Sequence, residues 1–288
     1  MTWRIVVISK VSKLDLKLNH LVIRSEETKR VHLSEIAVLI VENTAVSLTA
    51  ALLCELSKRK IKVIFCDEKR NPYGEICSYH GSHDSTEKLR LQIAWDRDVA
   101  GDIWADIVRD KISKQAALLD EKGRYEQAAH IRSFADQVQH SDSTNREGHA
   151  AKVYFNGLFG PGFSRSGNDP LNSCLNYGYT VLLSAFNREI TSEGYFTQLG
   201  IFHDNMFNPF NLGSDLMEPF RPLVDRCVFE MEPKEIGTKE KRILTDVLNS
   251  EVNIDGKNNY LLNAIRVYCR SFFEAVNGKD PSLVRFCR

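Results

Sequence analysis

An α+β fold in two parts is what this sequence predicts: an N-terminal β-rich domain joined by a flexible linker to a larger, mainly α-helical domain. Three observations carry that expectation. Residues 3–40 hold a succession of short β-branched runs, helical periodicity takes over from Leu89 onward, and CSYHGSHDSTEK, poor in apolar residues, lies between them. Period-two alternation marks half-buried strands, recurrence every three or four residues marks helices, and a Gly/Ser/charged stretch with little to bury links separate cores. The expected boundaries are 1–76, 77–88 and 89–288.

In chain order, WRIVVIS, LDLKL, LVIR, KRVHL and EIAVLIV are expected as strands, antiparallel and hairpin-linked, because short polar stretches such as Asn19-His20 and Ser25 to Thr28 separate them. Thr44 is a candidate N-cap for a helix through AVSLTAALLCELSKRK, in which Val46, Thr49, Leu53 and Leu56 recur at helical spacing. A strand, IKVIFCD, and a turn from Asn71-Pro72 to Gly74 close the first part. In the second part Leu91, Trp95, Val99, Ile103 and Ile107 form one long helical stripe, and Ala128, Ile131 and Ala135 a second. Helices follow from about Leu175 to Ile190 and from Tyr260 to Ala275, the last with Leu261, Ile265, Tyr268 and Phe272 on one face and Asn277-Gly278 as its stop.

Composition narrows the function classes. With 288 residues, 43% hydrophobic and 26% charged, the chain has core enough to fold and lacks the signature of disorder. No run of about 18 apolar residues occurs and the start alternates, so a cytoplasmic protein with no membrane partner is expected. The seven cysteines form no C-x-x-C pair and sit mostly in apolar runs, which points to neither a disulfide framework nor a zinc finger. Lys plus Arg equals Asp plus Glu at 38 each, so a nucleic-acid partner would need a local basic face.

Four stretches carry candidate chemistry. His80-Gly-Ser-His83-Asp84 lacks further ligands at finger spacing and reads as solvated linker. The glycines of GLFGPGFSRSG, residues 157–167, lack the Lys-Ser/Thr of a phosphate-binding loop and read as a turn-rich connection. Thr144-Asn-Arg-Glu147 matches a capping box, in which Glu147 bonds back to the cap residue. In GIFHDNMFNPFNLGSDLMEPFRPLVD, residues 200–225, Ser214 is a good N-cap. From there Asp215, Glu218, Pro222 and Asp225 share one helix side while Leu216, Phe220, Leu223 and Cys227 share the other. Pro219 and Pro222 disfavour helical geometry just before them, so the helix is expected to bend. The plain reading is a helix with a solvated acidic face. The functional reading adds His203 to the carboxylates and makes a divalent-ion site for phosphate chemistry, Mg²⁺ or Mn²⁺, with the imidazole leaning toward Mn²⁺.

Taken together, NREGHAAKVYF at 145–155, DPLNSCLNYGYTVL at 169–182 and the 200–225 stretch resemble the CRISPR-associated integrase family of spacer acquisition, the universal CRISPR endonuclease, in its type II branch. The resemblance spans essentially the whole chain and implies a catalytic metal site of Glu147, His203 and Glu218, with Asp215 a second candidate for the third ligand. It implies insertion of double-stranded spacer DNA into a CRISPR repeat by attack of a 3′-hydroxyl on a phosphodiester. It also implies a homodimer through the β domain, a small ferredoxin-like adaptation partner, and, in type II systems, the RNA-guided effector nuclease and a ring-shaped DNA-end protein. Arg146, Lys152, Arg165 and Arg188 are candidate phosphate contacts by charge and proximity in sequence. Two other readings stay open: a stand-alone metal-dependent endonuclease that uses water, and a non-catalytic DNA-binding scaffold.

Overall fold

The computed structural model describes residues 4–68, 70–76 and 84–288. The chain divides into two compact units, residues 1–85 with 191–194, and 86–190 with 195–288. Most of the expected linker, with His80 and His83, lies outside the described residues, and a helix opens at Ser85, inside the span expected for the linker and four residues before the expected start of the helical part.

The first unit contains β1 (Arg4–Ile8), β2 (Lys13–Lys17), β3 (His20–Arg24), β4 (Thr28–His32), β5 (Ile36–Val41), β6 (Ser47–Leu48), α1 (Ala50–Lys58), β7 (Lys62–Cys66) and β8 (Pro72–Glu75). They build two four-stranded sheets, ordered β1-β5-β7-β8 and β4-β3-β2-β6. The all-antiparallel expectation is corrected here. β2, β3 and β4 do form antiparallel hairpins, but β5 runs parallel to both β1 and β7, and β6 runs parallel to β2. Parallel neighbours need a crossover. The β2–β4 meander supplies one between β1 and β5, and α1 the other between β5 and β7. β5, IAVLIV, is buried at every position, as expected of a parallel strand covered on both faces.

Two local expectations also change. α1 is capped by Thr49, whose Oγ1 accepts from Leu52 N at 3.3 Å, and not by Thr44. Ser47 and Leu48 pair with Lys13 and Leu14 instead of winding into the helix. Residues 72–75, expected as a turn, form an antiparallel edge strand whose first residue is Pro72, a place where a missing N–H is tolerated. Leu14, Leu21, Leu33, Leu39, Leu52, Leu56 and Val63 fill this unit's core.

The second unit holds α2 (Ser85–Ile93), α3 (Arg97–Glu121), α4 (Tyr125–Ala135), α5 (Arg146–Phe159), α6 (Pro170–Ser192), α7 (Asn211–Met217), α8 (Arg221–Met231), α9 (Thr238–Asp246), a hairpin of β9 (Glu251–Ile254) and β10 (Lys257–Tyr260), and α10 (Leu261–Gly278). α3 is its axis, capped by Asp96, with Ile103, Trp104, Ile107, Val108, Ile112 and Leu119 buried. It packs against α4, α5, α8 and the 3-10 turn Glu218–Phe220 that joins α7 to α8. α10 buries Leu261, Ile265, Tyr268 and Phe272 and ends at Gly278, as expected. The β9–β10 hairpin was not expected, although its turn, Asp255-Gly256 with φ of 54° and 71°, is a standard two-residue hairpin signal.

Candidate active site

Three elements deliver charged side chains to one point beside α3. Lys111 extends from α3, Glu147 from the first turn of α5, and Glu218 from the 3-10 turn. The Lys111 ammonium lies 2.5 Å from Glu147 Oε1 and 2.5 Å from Glu218 Oε2, while the other Glu218 oxygen is ion-paired with Arg221 Nε at 2.9 Å. Lys111 and Glu218 are buried and Glu147 is half-buried. Burial alone would push the Glu218 carboxyl up, but Arg221 and Lys111 outweigh it and hold it below the usual carboxylate range. For Lys111 burial works downward, and the two glutamates reverse it and raise the ammonium above its ordinary value.

The local backbone explains why Glu147 points inward. The first turn of α5 is capped by Asn145, in the left-handed region at φ 52°, which accepts from Gly148 N at 3.2 Å. Asp142 accepts from Arg146 N and Glu147 N at 2.8 and 3.0 Å. The capping box expected from Thr144 and Glu147 is therefore not formed. Two other side chains satisfy the helix start, which leaves the Glu147 carboxylate for Lys111.

The acidic stretch also departs from its plain reading. Asp215, Glu218 and Asp225 are 0%, 3% and 1% exposed, so the acidic side faces inward. Ser214 lies inside α7, which begins at Asn211. The helix does break at the prolines, into α7, the 3-10 turn and α8, and this break sets Glu218 at a corner against α3.

Each buried acid has its own partners. Asp215 accepts from the backbone N–H groups of Ile201, Phe202 and His203 at 2.7, 3.1 and 3.0 Å and from His203 Nδ1 at 2.5 Å. That bond places the proton on Nδ1 and leaves Nε2 as the nitrogen able to meet a ligand. The hydrogen bond to Asp215 raises the His203 pKa against the effect of burial, and the charges of Glu218 and Glu147 add to the rise. His203 is further braced edge-on by Trp104, at 5.7 Å between ring centroids. Asp225 accepts from Tyr154 Oη of α5 at 2.8 Å and from Tyr179 Oη of α6.

The arrangement thus brings Glu147 and Glu218 onto one cation, with His203 near enough to feel both charges and Asp215 turned away to hold His203. Among the described residues no three His, Cys, Asp or Glu side chains already form a metal shell. The donor set fits a divalent ion in kind: two carboxylates, one largely desolvated, converge on a positive centre that Lys111 occupies, beside an imidazole with its outer nitrogen available.

Of the four candidate phosphate contacts, Lys152 is exposed and Arg146 is half-buried, its guanidinium 5.9 Å from the Phe134 ring. Arg165 is bound by Asn172 and Asn176 and lies over the Phe155 and Tyr179 rings, and Arg188 is ion-paired with Glu189. Sequence reasoning missed Lys111, Trp104 and the pairing of Asp225 with Tyr154 and Tyr179. One signal was available: the stripe Ile103, Ile107 continues at the same spacing to position 111, and a lysine on a buried stripe demands a counter-charge.

Comparison with known proteins then decides the family. Residues 5–245 match the family described as CRISPR associated protein Cas1. The chain belongs to the Cas1 family. The CRISPR-associated endonuclease Cas1 of Neisseria meningitidis serogroup C is 36% identical over 99% of this chain and 96% of its own length. Among solved structures, a casposase bound to integration product superposes with a TM-score of 0.77 at 18% identity, covering 97% of this Cas1-family chain and 92% of that one. A Cas1 protein from Thermotoga maritima gives 0.74 at 16% identity, covering 96% and 97%. A chain of a Cas6-RT-Cas1–Cas2 complex gives 0.76 at 18% identity, and this chain spans 36% of its length. These likenesses agree with the two-part α+β architecture described above. None of the described helices is long and apolar enough to cross a membrane.

Proposed function

We propose that this protein is a metal-dependent DNA integrase and endonuclease of CRISPR spacer acquisition, joining the 3′-hydroxyl of incoming double-stranded DNA to a phosphodiester of the repeat. One observation carries the reading. Glu147 and Glu218, far apart in sequence, are brought onto a single cation, and the charges of both reach His203, whose inner nitrogen is fixed by Asp215. In the reading, Glu147, Glu218 and His203 Nε2 would hold Mg²⁺ or Mn²⁺, which when bound would stabilise the charge that develops on the scissile phosphate.

The remaining steps belong to the chain's own residues. Asp215 keeps the His203 proton on Nδ1 and the ring in place, and is a positioning residue in preference to a third ligand. Arg221 keeps the Glu218 carboxyl ionised, and Lys111 balances the two carboxylates until an ion takes its place. Lys152 and Arg146 are the more available of the candidate backbone contacts. With water in place of the 3′-hydroxyl the same site cleaves, so integrase and nuclease activities need one centre. Homodimerisation through the first unit, a small ferredoxin-like partner, and the type II effector nuclease with a ring-shaped DNA-end protein belong to the same proposal, supported by the family and by the sequence motifs.

A second reading has its own support. Lys111 balances the carboxylates without an ion, as a DNA-binding scaffold with a structural charge cluster would require. The experiment that separates them incubates the purified protein with short duplexes bearing free 3′-hydroxyls and a supercoiled repeat plasmid in Mn²⁺, Mg²⁺ or EDTA. Metal-dependent covalent joining is expected, abolished by Glu147→Ala, His203→Ala or Glu218→Ala with DNA binding retained. Binding without any joined or cleaved product would favour the scaffold.

A further inference from the structure

Phe202, next to His203 in sequence, has an arrangement that the reaction chemistry above does not use. Its ring is stacked on the buried Trp104 ring with centroids 4.3 Å apart and an interplanar angle of 7°. The residue is nevertheless 46% exposed. One face is covered by the indole, so the exposure falls on the outer face and edges. His203 does not cover that face. Its ring is perpendicular to both partners and 5.6 and 5.7 Å from the two centroids, which puts it against the flank of the stack. The backbone beneath is fixed, because Asp215 binds the N–H groups of residues 201, 202 and 203. A flat aromatic face is thus held open at the edge of the catalytic imidazole, on a two-ring stack that cannot easily tilt away. The same loop goes on to expose Met206 and Phe207, at 87% and 85%.

We propose that the outer face of Phe202 is a stacking platform for one unpaired nucleobase of the DNA strand that reacts beside His203. The inference rests on the DNA reading of the site and adds to it a subsite for a base. Its chemistry suits the occupant: a phenyl ring offers π-stacking and no hydrogen bonds, so it accepts any base and reads none. Proximity to His203 places that base one nucleotide or so from the reacting phosphate. Stacking there fixes the orientation of the strand end, and so of its 3′-hydroxyl.

The test uses the full chain and a short duplex with one unpaired 3′-terminal nucleotide, carrying either 2-aminopurine or an abasic residue, bound in EDTA so that binding is read without turnover. With the wild type, 2-aminopurine emission is expected to fall on binding, and the abasic probe to bind about tenfold more weakly, the order expected for one aromatic–base stack. Phe202→Leu should lose the quenching, bind the intact probe about tenfold more weakly, and no longer distinguish it from the abasic one. Phe202→Tyr should retain both properties. Should Phe202→Leu fail to fold, the wild-type comparison and the tyrosine variant still decide. A wild type that binds both probes equally, or a folded leucine variant that still discriminates, overturns the proposal. So does a Phe202 substitution that spares DNA binding and abolishes only a protein–protein association. The outcome is separable from the function itself: metal-dependent joining without abasic discrimination removes the platform alone, whereas absence of joining removes the integrase reading whatever the stacking result.

Discussion

At the scale of single residues the decisive one is Lys111. A buried carboxylate pair is unfavourable unless a positive charge sits between its members, and removing one partner of a buried ion pair is far costlier than leaving the pair out altogether. Lys111→Met keeps the apolar stem and deletes the charge, leaving Glu147 and Glu218 to repel each other. We expect a loss of about 3 kcal/mol in chelator, read by urea denaturation, and a much larger stabilisation by Mn²⁺ than the wild type shows. Equal stabilisation of both proteins would mean that the two carboxylates do not share an ion. Glu147, His203 and Glu218 were singled out by a family resemblance carried on short local motifs, while spacing alone read Glu147 as a helix cap and Glu218 as part of a solvated face. Their arrangement was not legible: the partner that joins the two glutamates lies 36 and 107 residues away along the chain, on a helix whose periodicity reads simply as core.

At the scale of elements, Asp225 fastens α8 to α5 and α6 through Tyr154 and Tyr179. Burial pushes its carboxyl up to about 6, against the lowering effect of the two tyrosine donors. A folded-state value above the unfolded one means that the folded protein binds the extra proton. The stabilising contribution is present in full below about pH 4 and is lost as pH rises through about 6. Relative to wild type, Asp225→Asn should therefore gain about 3 kcal/mol between pH 4 and pH 7, since each pKa unit is worth about 1.4 kcal/mol. Denaturation curves at the two pH values test this, and an unchanged difference would sink it. α10 was readable from spacing alone, whereas the single stripe expected from Leu91 to Ile107 is broken at Trp95 between α2 and α3, where Asp96 caps a new helix. Sheet polarity was not readable, because parallel or antiparallel pairing is set by crossovers that join distant segments. The shift of the α1 cap from Thr44 to Thr49 has the same origin, since Ser47 and Leu48 are claimed by β2 from outside the helix.

At the scale of the whole molecule, the first unit presents four sheet edges: β1, β8, β4 and β6. β4 carries exposed Lys29 and Arg30, β6 is two residues long, and β8 opens with Pro72, all devices that discourage strand pairing. β1, RIVVI, has an exposed Val7 and only Arg4 as a charged residue. If the homodimer forms through this unit, the full chain should sediment as a dimer and a chain lacking residues 1–76 as a monomer, with Val7→Lys weakening the full-length dimer. A dimer that survives the truncation moves the interface to the helical unit. Because an ammonium carried on α3 cannot diffuse away, an ion loading the proposed site would have to wait for the side chain to swing out. Loading rates followed by stopped flow should then level off at high Mn²⁺ instead of climbing in proportion, with the plateau reporting how often lysine lets go. Lys111→Met should remove the ceiling.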